Sequence, residues 1–129
     1  MAGYSGTPLP QKLGIKVGSA VRIINAPADF EESLGPLSEV RFVSEEVDVI
    51  VLFVSWRSEL VAALDEAIAA LAPRGGLWIA WPKRASKIPT DITEDVLREV
   101  ILPTGLVDNK VCAISEVWSG LRFVRRRAS

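Results

Sequence analysis

Histidine is absent from the 129-residue chain, and cysteine occurs once, at Cys112. These two scarcities exclude Ser-His-Asp and Cys-His nucleophile systems, zinc sites built on histidine or on paired cysteines, and any internal disulfide. No apolar run approaches the ~18 residues of a membrane span, and Met1-Ala2-Gly3-Tyr4-Ser5 lacks the basic stretch and apolar run of a leader peptide. An excess of one charge is missing too. Fifteen Lys+Arg against 16 Asp+Glu leave a net charge of -1, which provides no overall field to draw in nucleic acid or an anionic membrane surface. Neither is expected as a partner, and with no disulfide pair the cytoplasm is the expected compartment.

Hydrophobic residues (49%) and charged residues (24%) stand in the proportion of a soluble globular domain, which argues against disorder and coiled coil. The length suits one domain, large enough to bury about two-thirds of its unfolded surface. The expected organisation is a single α/β domain over residues 1–129, with 1–17 as an N-terminal arm lying on it.

Along the chain, Val21-Arg22-Ile23-Ile24-Asn25 follows a Gly18-Ser19 turn and suits a buried strand. Pro27 is placed to open a short helix in which Phe30, Leu34 and Leu37 recur at helical spacing before Gly35-Pro36 breaks it. Val40 to Val43 is strand-like, and Val49 to Val54 is continuously apolar, as a strand covered on both faces should be. Only Ser44 to Asp48 separate them, so the direction of the first stays open between a very short parallel strand and an antiparallel edge.

Leu60, Leu64, Ile68 and Leu71 make a helical stripe that stops at Pro73-Arg74-Gly75-Gly76. Leu77 to Trp81 then reads as a buried strand, so that strand, helix and strand form a right-handed parallel unit. Lys83 to Thr90 is a polar, basic loop, and Asp91-Ile92-Thr93-Glu94 has the pattern of a capping box before a helix of Ile92, Val96, Leu97, Val100 and Ile101. Lys110–Ile114 and Leu121–Arg125 are expected as a hairpin, joined by a loop containing Trp118-Ser119-Gly120. The fold class is α/β, Rossmann-like, with a mainly parallel sheet, helices on both faces and an antiparallel C-terminal hairpin.

Lys12 to Gly18 ahead of a strand resembles the run-up to the first strand of class I S-adenosylmethionine-dependent methyltransferases. Asp48-Val49-Ile50-Val51, the long helix and Leu71-Ala72-Pro73-Arg74-Gly75-Gly76-Leu77-Trp78 are similar to that fold's fourth strand, helix and turn into its fifth. The resemblance implies an S-adenosylmethionine seat at a glycine-rich loop after the first strand. Here that loop is Asn25-Ala26-Pro27-Ala28-Asp29, with no glycine, so no cofactor is expected. Glu45, 20 residues beyond Asn25, stands where such folds carry an acidic ribose contact, though Ser44-Glu45-Glu46 equally suits a solvated turn. The segment of the family's third strand is missing. As a whole the chain is similar to a small bacterial family of unknown function, through Tyr4 to Ile15, Asn25 to Phe30, Leu77 to Ser86 and Trp118 to Leu121.

In open α/β sheets ligands sit beyond the carboxyl ends of the strands. That edge would gather Asn25, Ala26 and Pro27 with Ser55, Trp56 and Arg57, and with Trp81, Lys83 and Arg84; Glu45 is the outlying candidate. Two indoles and Asn25 beside Arg57, Lys83, Arg84 and Lys87 suit a planar or anionic small molecule, against the simpler account of packed tryptophans and solvated cations. Ser119 has no visible base, Asp91 and Glu94 read as helix caps, and Cys112 as a small buried hydrophobe. Arg125-Arg126-Arg127 could touch phosphate but read as a frayed end, and exposed Trp118 and Phe123 on the hairpin would suit a homodimer. No catalytic or metal residue is expected. The leading reading is a non-catalytic module that binds a small molecule or a protein; the alternatives are a methyltransferase or its partner subunit, and a self-associating structural protein.

Overall fold

The computed structural model describes residues 8–35 and 40–126. In chain order the elements are α1 (Leu9–Leu13), β1 (Ala20–Ile24), α2 (Phe30–Leu34), β2 (Arg41–Phe42), β3 (Val47–Phe53), α3 (Arg57–Ala70), β4 (Leu71–Pro82), α4 (Glu94–Ile101), β5 (Leu106–Ala113) and β6 (Trp118–Arg125). The strands form one sheet in the order β2-β1-β3-β4-β6-β5. The first four run parallel, while β6 is antiparallel to both β4 and β5. The α/β class, the mainly parallel sheet and the antiparallel terminal hairpin are those expected from the sequence.

Alternation along the strands divides the interior in two. Ile50, Leu52, Leu77 and Ile79 face Leu60, Leu64 and Ala67 of α3 and Leu97 and Ile101 of α4. Val49, Val51, Trp78 and Ala80 face Leu13 of α1 and Phe30 and Leu34 of α2. Trp78, fully buried, donates its indole Nε1–H to the carbonyl of Leu13 at 3.0 Å, tying the end of α1 to the middle of the sheet. Leu37 lies outside the described residues.

The direction of β2 is parallel, and the register explains how so short a connection permits it. Phe42 pairs with Val21, and Val21 also pairs with Val49. β2 thus touches only the start of β1, so the chain does not have to descend the length of the sheet to begin β3. It crosses two strand spacings, roughly 10 Å, through residues 43–46, turning at Glu46 with φ 51°.

Two expected boundaries are corrected. Leu71 was expected on the helical stripe, but α3 ends at Ala70 and β4 begins at Leu71 with no intervening loop. Pro73-Arg74-Gly75-Gly76 is therefore strand, in a stretch where the pairing with β3 jumps from Val47–Leu71 to Val49–Gly76. Gly75 makes the bulge feasible, because a Cβ there would stand 2.6 Å from the Val47 carbonyl oxygen. Trp118-Ser119-Gly120 is likewise not loop but the start of β6, pairing with Pro82, Trp81 and Ala80. Gly120 is demanded by packing: a Cβ would meet Ile114 Cδ1 at 2.8 Å and Trp78 Cε3 at 3.2 Å. Among the described residues no helix is long and apolar enough to cross a membrane.

Candidate functional site

The parallel strands β1, β3 and β4 bring Asn25-Ala26-Pro27, Ser55-Trp56-Arg57 and Trp81 to Arg84 to one edge of the sheet. Asn25 follows β1 in the left-handed conformation, φ 59°, where a glycine is the usual occupant and asparagine the most tolerated substitute. Asn25 and Ala26 are exposed and Pro27 is half-buried. Glu45 stands outside the strand ends, in the connection from β2 to β3, next to Ser44, which lines a groove with Ala26. β2 ends level with Val21, whereas Asn25 follows Ile24, which is level with Leu52.

The backbone after β3 is already satisfied within the chain. Glu59 on the first turn of α3 accepts from the N–H groups of Ser55 (2.8 Å) and Trp56 (3.1 Å), Asp91 accepts from that of Arg57 (2.7 Å), and Thr90 donates its hydroxyl to the Ser55 carbonyl. Trp56 precedes the helix and carries only a donor in its indole, so Glu59 forms half of a capping box alone. The Arg57 guanidinium pairs with Glu99 at 2.6 Å. The expected roles of Asp91 and Glu94 change here. Asp91 caps α3, 34 residues upstream, and the N-cap of α4 is Thr93, whose hydroxyl accepts from Val96; Glu94 pairs with Arg98.

Behind this edge the interior is aromatic. Phe30 meets Phe53 edge to face with ring centroids 4.8 Å apart, and Phe53 meets Trp118 in the same way at 5.1 Å. Phe30 and Phe53 are buried, Trp118 is half-buried, and Phe123 is fully buried in the opposite cluster, so the exposed aromatics expected on the hairpin are not exposed. Shallow grooves flank the stack. One of 590 Å³ lies between Trp56, Arg57, Val61 and Asp91; another of 420 Å³ lies along Trp81, Arg84, Lys87 and Glu94; a third of 550 Å³ is lined by Ala26, Phe42 and Ser44. Lys83 donates its N–H to the Val117 carbonyl, which fastens the basic loop to the hairpin turn.

Away from this edge, Cys112 is half-buried in β5, and burial pushes its thiol up, with Lys12 and Lys110 pulling less strongly the other way. No cluster of three metal-ligating side chains occurs among the described residues. Sequence reasoning missed a basic groove of 860 Å³ at the opposite edge of the sheet, lined by Arg74, Arg122, Arg125 and Arg126. The local signals were Arg74 inside the Gly-Gly turn and the terminal run of arginines. Arg125 was expected in a frayed end, but it closes β6 and donates from Nη2 to the carbonyls of Ile68 and Leu71 at 3.0 Å each, holding the last turn of α3. Arg127 lies outside the described residues.

A six-stranded sheet with this strand order, helices on both faces and a reversed penultimate strand defines a Rossmann-like fold of the class I methyltransferase type. Similar solved structures include a SAM dependent methyltransferase from Aquifex aeolicus (TM-score 0.63, 14% identity, covering 88% of this chain and 85% of that one). The N-methyltransferase NodS from Bradyrhizobium japonicum WM9 is similar at TM-score 0.59 and 17% identity (92% and 93% covered). A TehB-like SAM-dependent methyltransferase from Corynebacterium glutamicum is similar at TM-score 0.57 and 13% identity (97% and 91% covered). At these identities the likeness is one of fold. The chain belongs to DUF3052, a family of proteins of unknown function, whose model matches residues 11–127. Among curated proteins none matches it.

Proposed function

We propose that the chain is a non-catalytic binding module on a methyltransferase-type fold, with the cofactor edge turned into packing. The observation that carries this is the Phe30–Phe53–Trp118 stack, packed at the carboxyl ends of β3, which Phe53 closes, and of β4, whose Pro82 pairs with Trp118. Three further features support it. The loop after β1 has no glycine to bring backbone close to a ligand. The N–H groups of Ser55, Trp56 and Arg57 are spent on Glu59 and Asp91. The one acidic candidate for a ribose contact, Glu45, is in the connection that follows a β2 of only two residues rather than at the end of a full-length strand. NodS has also been solved in complex with S-adenosyl-l-homocysteine (TM-score 0.61, 18% identity); the features above argue against the same group at the corresponding edge here. On the same reading the single cysteine assigns the module to the cytoplasm.

Calorimetric titration with S-adenosylmethionine and S-adenosylhomocysteine tests this, with Asn25→Trp as the blocked control. The expected result is no heat at millimolar ligand with either protein. Binding by the natural chain that is lost in Asn25→Trp would overturn the proposal and restore the methyltransferase reading.

A further inference from the structure

The basic groove at the amino ends of the parallel strands has a construction that the cofactor edge lacks. Arg74 comes from the bulged start of β4, Arg122 and Arg125 from β6, and Arg126 from the residue beyond it, with Val107 and Val124 forming the apolar floor. No carboxylate lines the groove, and none of the four arginines pairs with one among the described residues. The carboxylates of neighbouring strands are engaged elsewhere: Asp48 accepts from the Ala20 N–H and Asp108 holds Arg98. In a chain of net charge -1, these positive groups are thus collected with no counter-ion among the described residues.

Arg122 is the informative member. Its guanidinium lies flat against Gly76, where any Cβ would come within 2.7 Å of Cζ and Nη2, so the second glycine of the Gly-Gly pair is the bed of this side chain. Its Nη1 has one weak contact, 3.4 Å to the amide oxygen of Asn109, the extra residue at the β5 bulge. Partial burial strips water from the charge and lowers its proton affinity. A half-buried guanidinium with only an amide for company is costly unless an anion completes it. Arg125, three residues further on, projects to the other face of β6, where its guanidinium is spent on the carbonyls of Ile68 and Leu71. Arg74 and Arg126 are exposed and extend from the mouth.

We propose that this groove binds a small phosphate-bearing molecule, with Arg122 as the fixed contact and Arg74 and Arg126 closing on the anion from solvent. Its floor of two valines leaves room for an apolar portion of such a ligand beside its charged group. The site is at the opposite edge from the Phe30 stack, so its existence does not depend on whether the cofactor edge is closed.

The test is calorimetric titration of the full chain with inorganic pyrophosphate at low ionic strength. Three variants accompany it: Arg122→Met, Arg74→Ala/Arg126→Ala, and Arg84→Ala/Lys87→Ala in the other basic groove. Submillimolar binding is expected, weakened about tenfold or more by each of the first two and unchanged by the third. Arg74 and Arg126 are exposed, so the double variant keeps the test decisive if Arg122→Met fails to fold. Absence of binding by the natural chain, or binding indifferent to the first two variants, overturns the proposal. A single-stranded oligonucleotide that binds more tightly than pyrophosphate with the same dependence on Arg122 would also overturn it, and would assign the groove to a nucleic-acid backbone.

Discussion

Replacing Phe30 by alanine removes one terminal ring of the Phe30–Phe53–Trp118 stack. Phe30 is 3% exposed and starts α2, a helix of five residues with little of its own to hold it on the sheet. A buried phenyl ring removes roughly 150–200 Å² from water, worth about 4 kcal/mol at ~25 cal/mol per Å². Correction for a compact unfolded chain brings the expected loss to about 3 kcal/mol, at the lower end of phenylalanine truncations. For a chain of this size that is a fall in Tm of roughly 10 °C, readable by calorimetry or circular dichroism. Local consequences should accompany it: the Phe30 N–H, bonded to the Pro27 carbonyl at 3.1 Å, should exchange with solvent faster. A cycle with Phe53→Leu should give a coupling of about 1 kcal/mol, because the two rings meet edge to face. A Tm within about 3 °C of the natural chain, with no coupling to Phe53, would refute the aromatic packing and the functional proposal resting on it.

Two further expectations come from side chains whose partners are distant in sequence or whose environment shifts their chemistry. Asp91→Ala should lower stability by about 1 kcal/mol through loss of the α3 cap, and Asp91→Asn by less, since an amide oxygen still accepts from Arg57; equal losses in thermal melts would mean that charge, not capping, matters. Cys112 should react with iodoacetamide at pH 8 about tenfold more slowly in the folded chain than in urea. Its folded thiol titrates above the unfolded one, so both are protonated below about pH 8.5 and the contribution is complete there. As pH rises beyond that, the unfolded thiol ionises first and stability falls until the folded thiol follows; Cys112→Ala should lack this decline.

The elements legible in the sequence were those whose cause is local. The continuous apolar run of β3, the helical stripe of α3 with its alanine-rich remainder, and the hairpin of β5 and β6 each follow from periodicity and propensity over a few residues. The gathering of Asn25, Ser55 and Trp81 at one edge was legible as well, because parallel strands in a right-handed unit place their carboxyl ends together. The aromatic packing behind that edge was not, since Phe30, Phe53 and Trp118 are separated by tens of residues and meet only through sheet order.

What the amino-acid sequence by itself determined is the fold class and the absence of histidine and paired-cysteine chemistry, because composition and short-range pattern suffice for both. Only the tertiary structure decided the direction of β2, since a parallel crossover of four residues depends on β2 pairing with the very start of β1. It also decided that Asp91 caps a helix 34 residues upstream. Finally, it brought Arg74 into one groove with Arg122 and Arg126: their strands are neighbours, and Gly76 leaves the space above its backbone that one guanidinium occupies. Each of these is a matter of register across the sheet, which hydrogen bonds between distant segments set and no local pattern encodes.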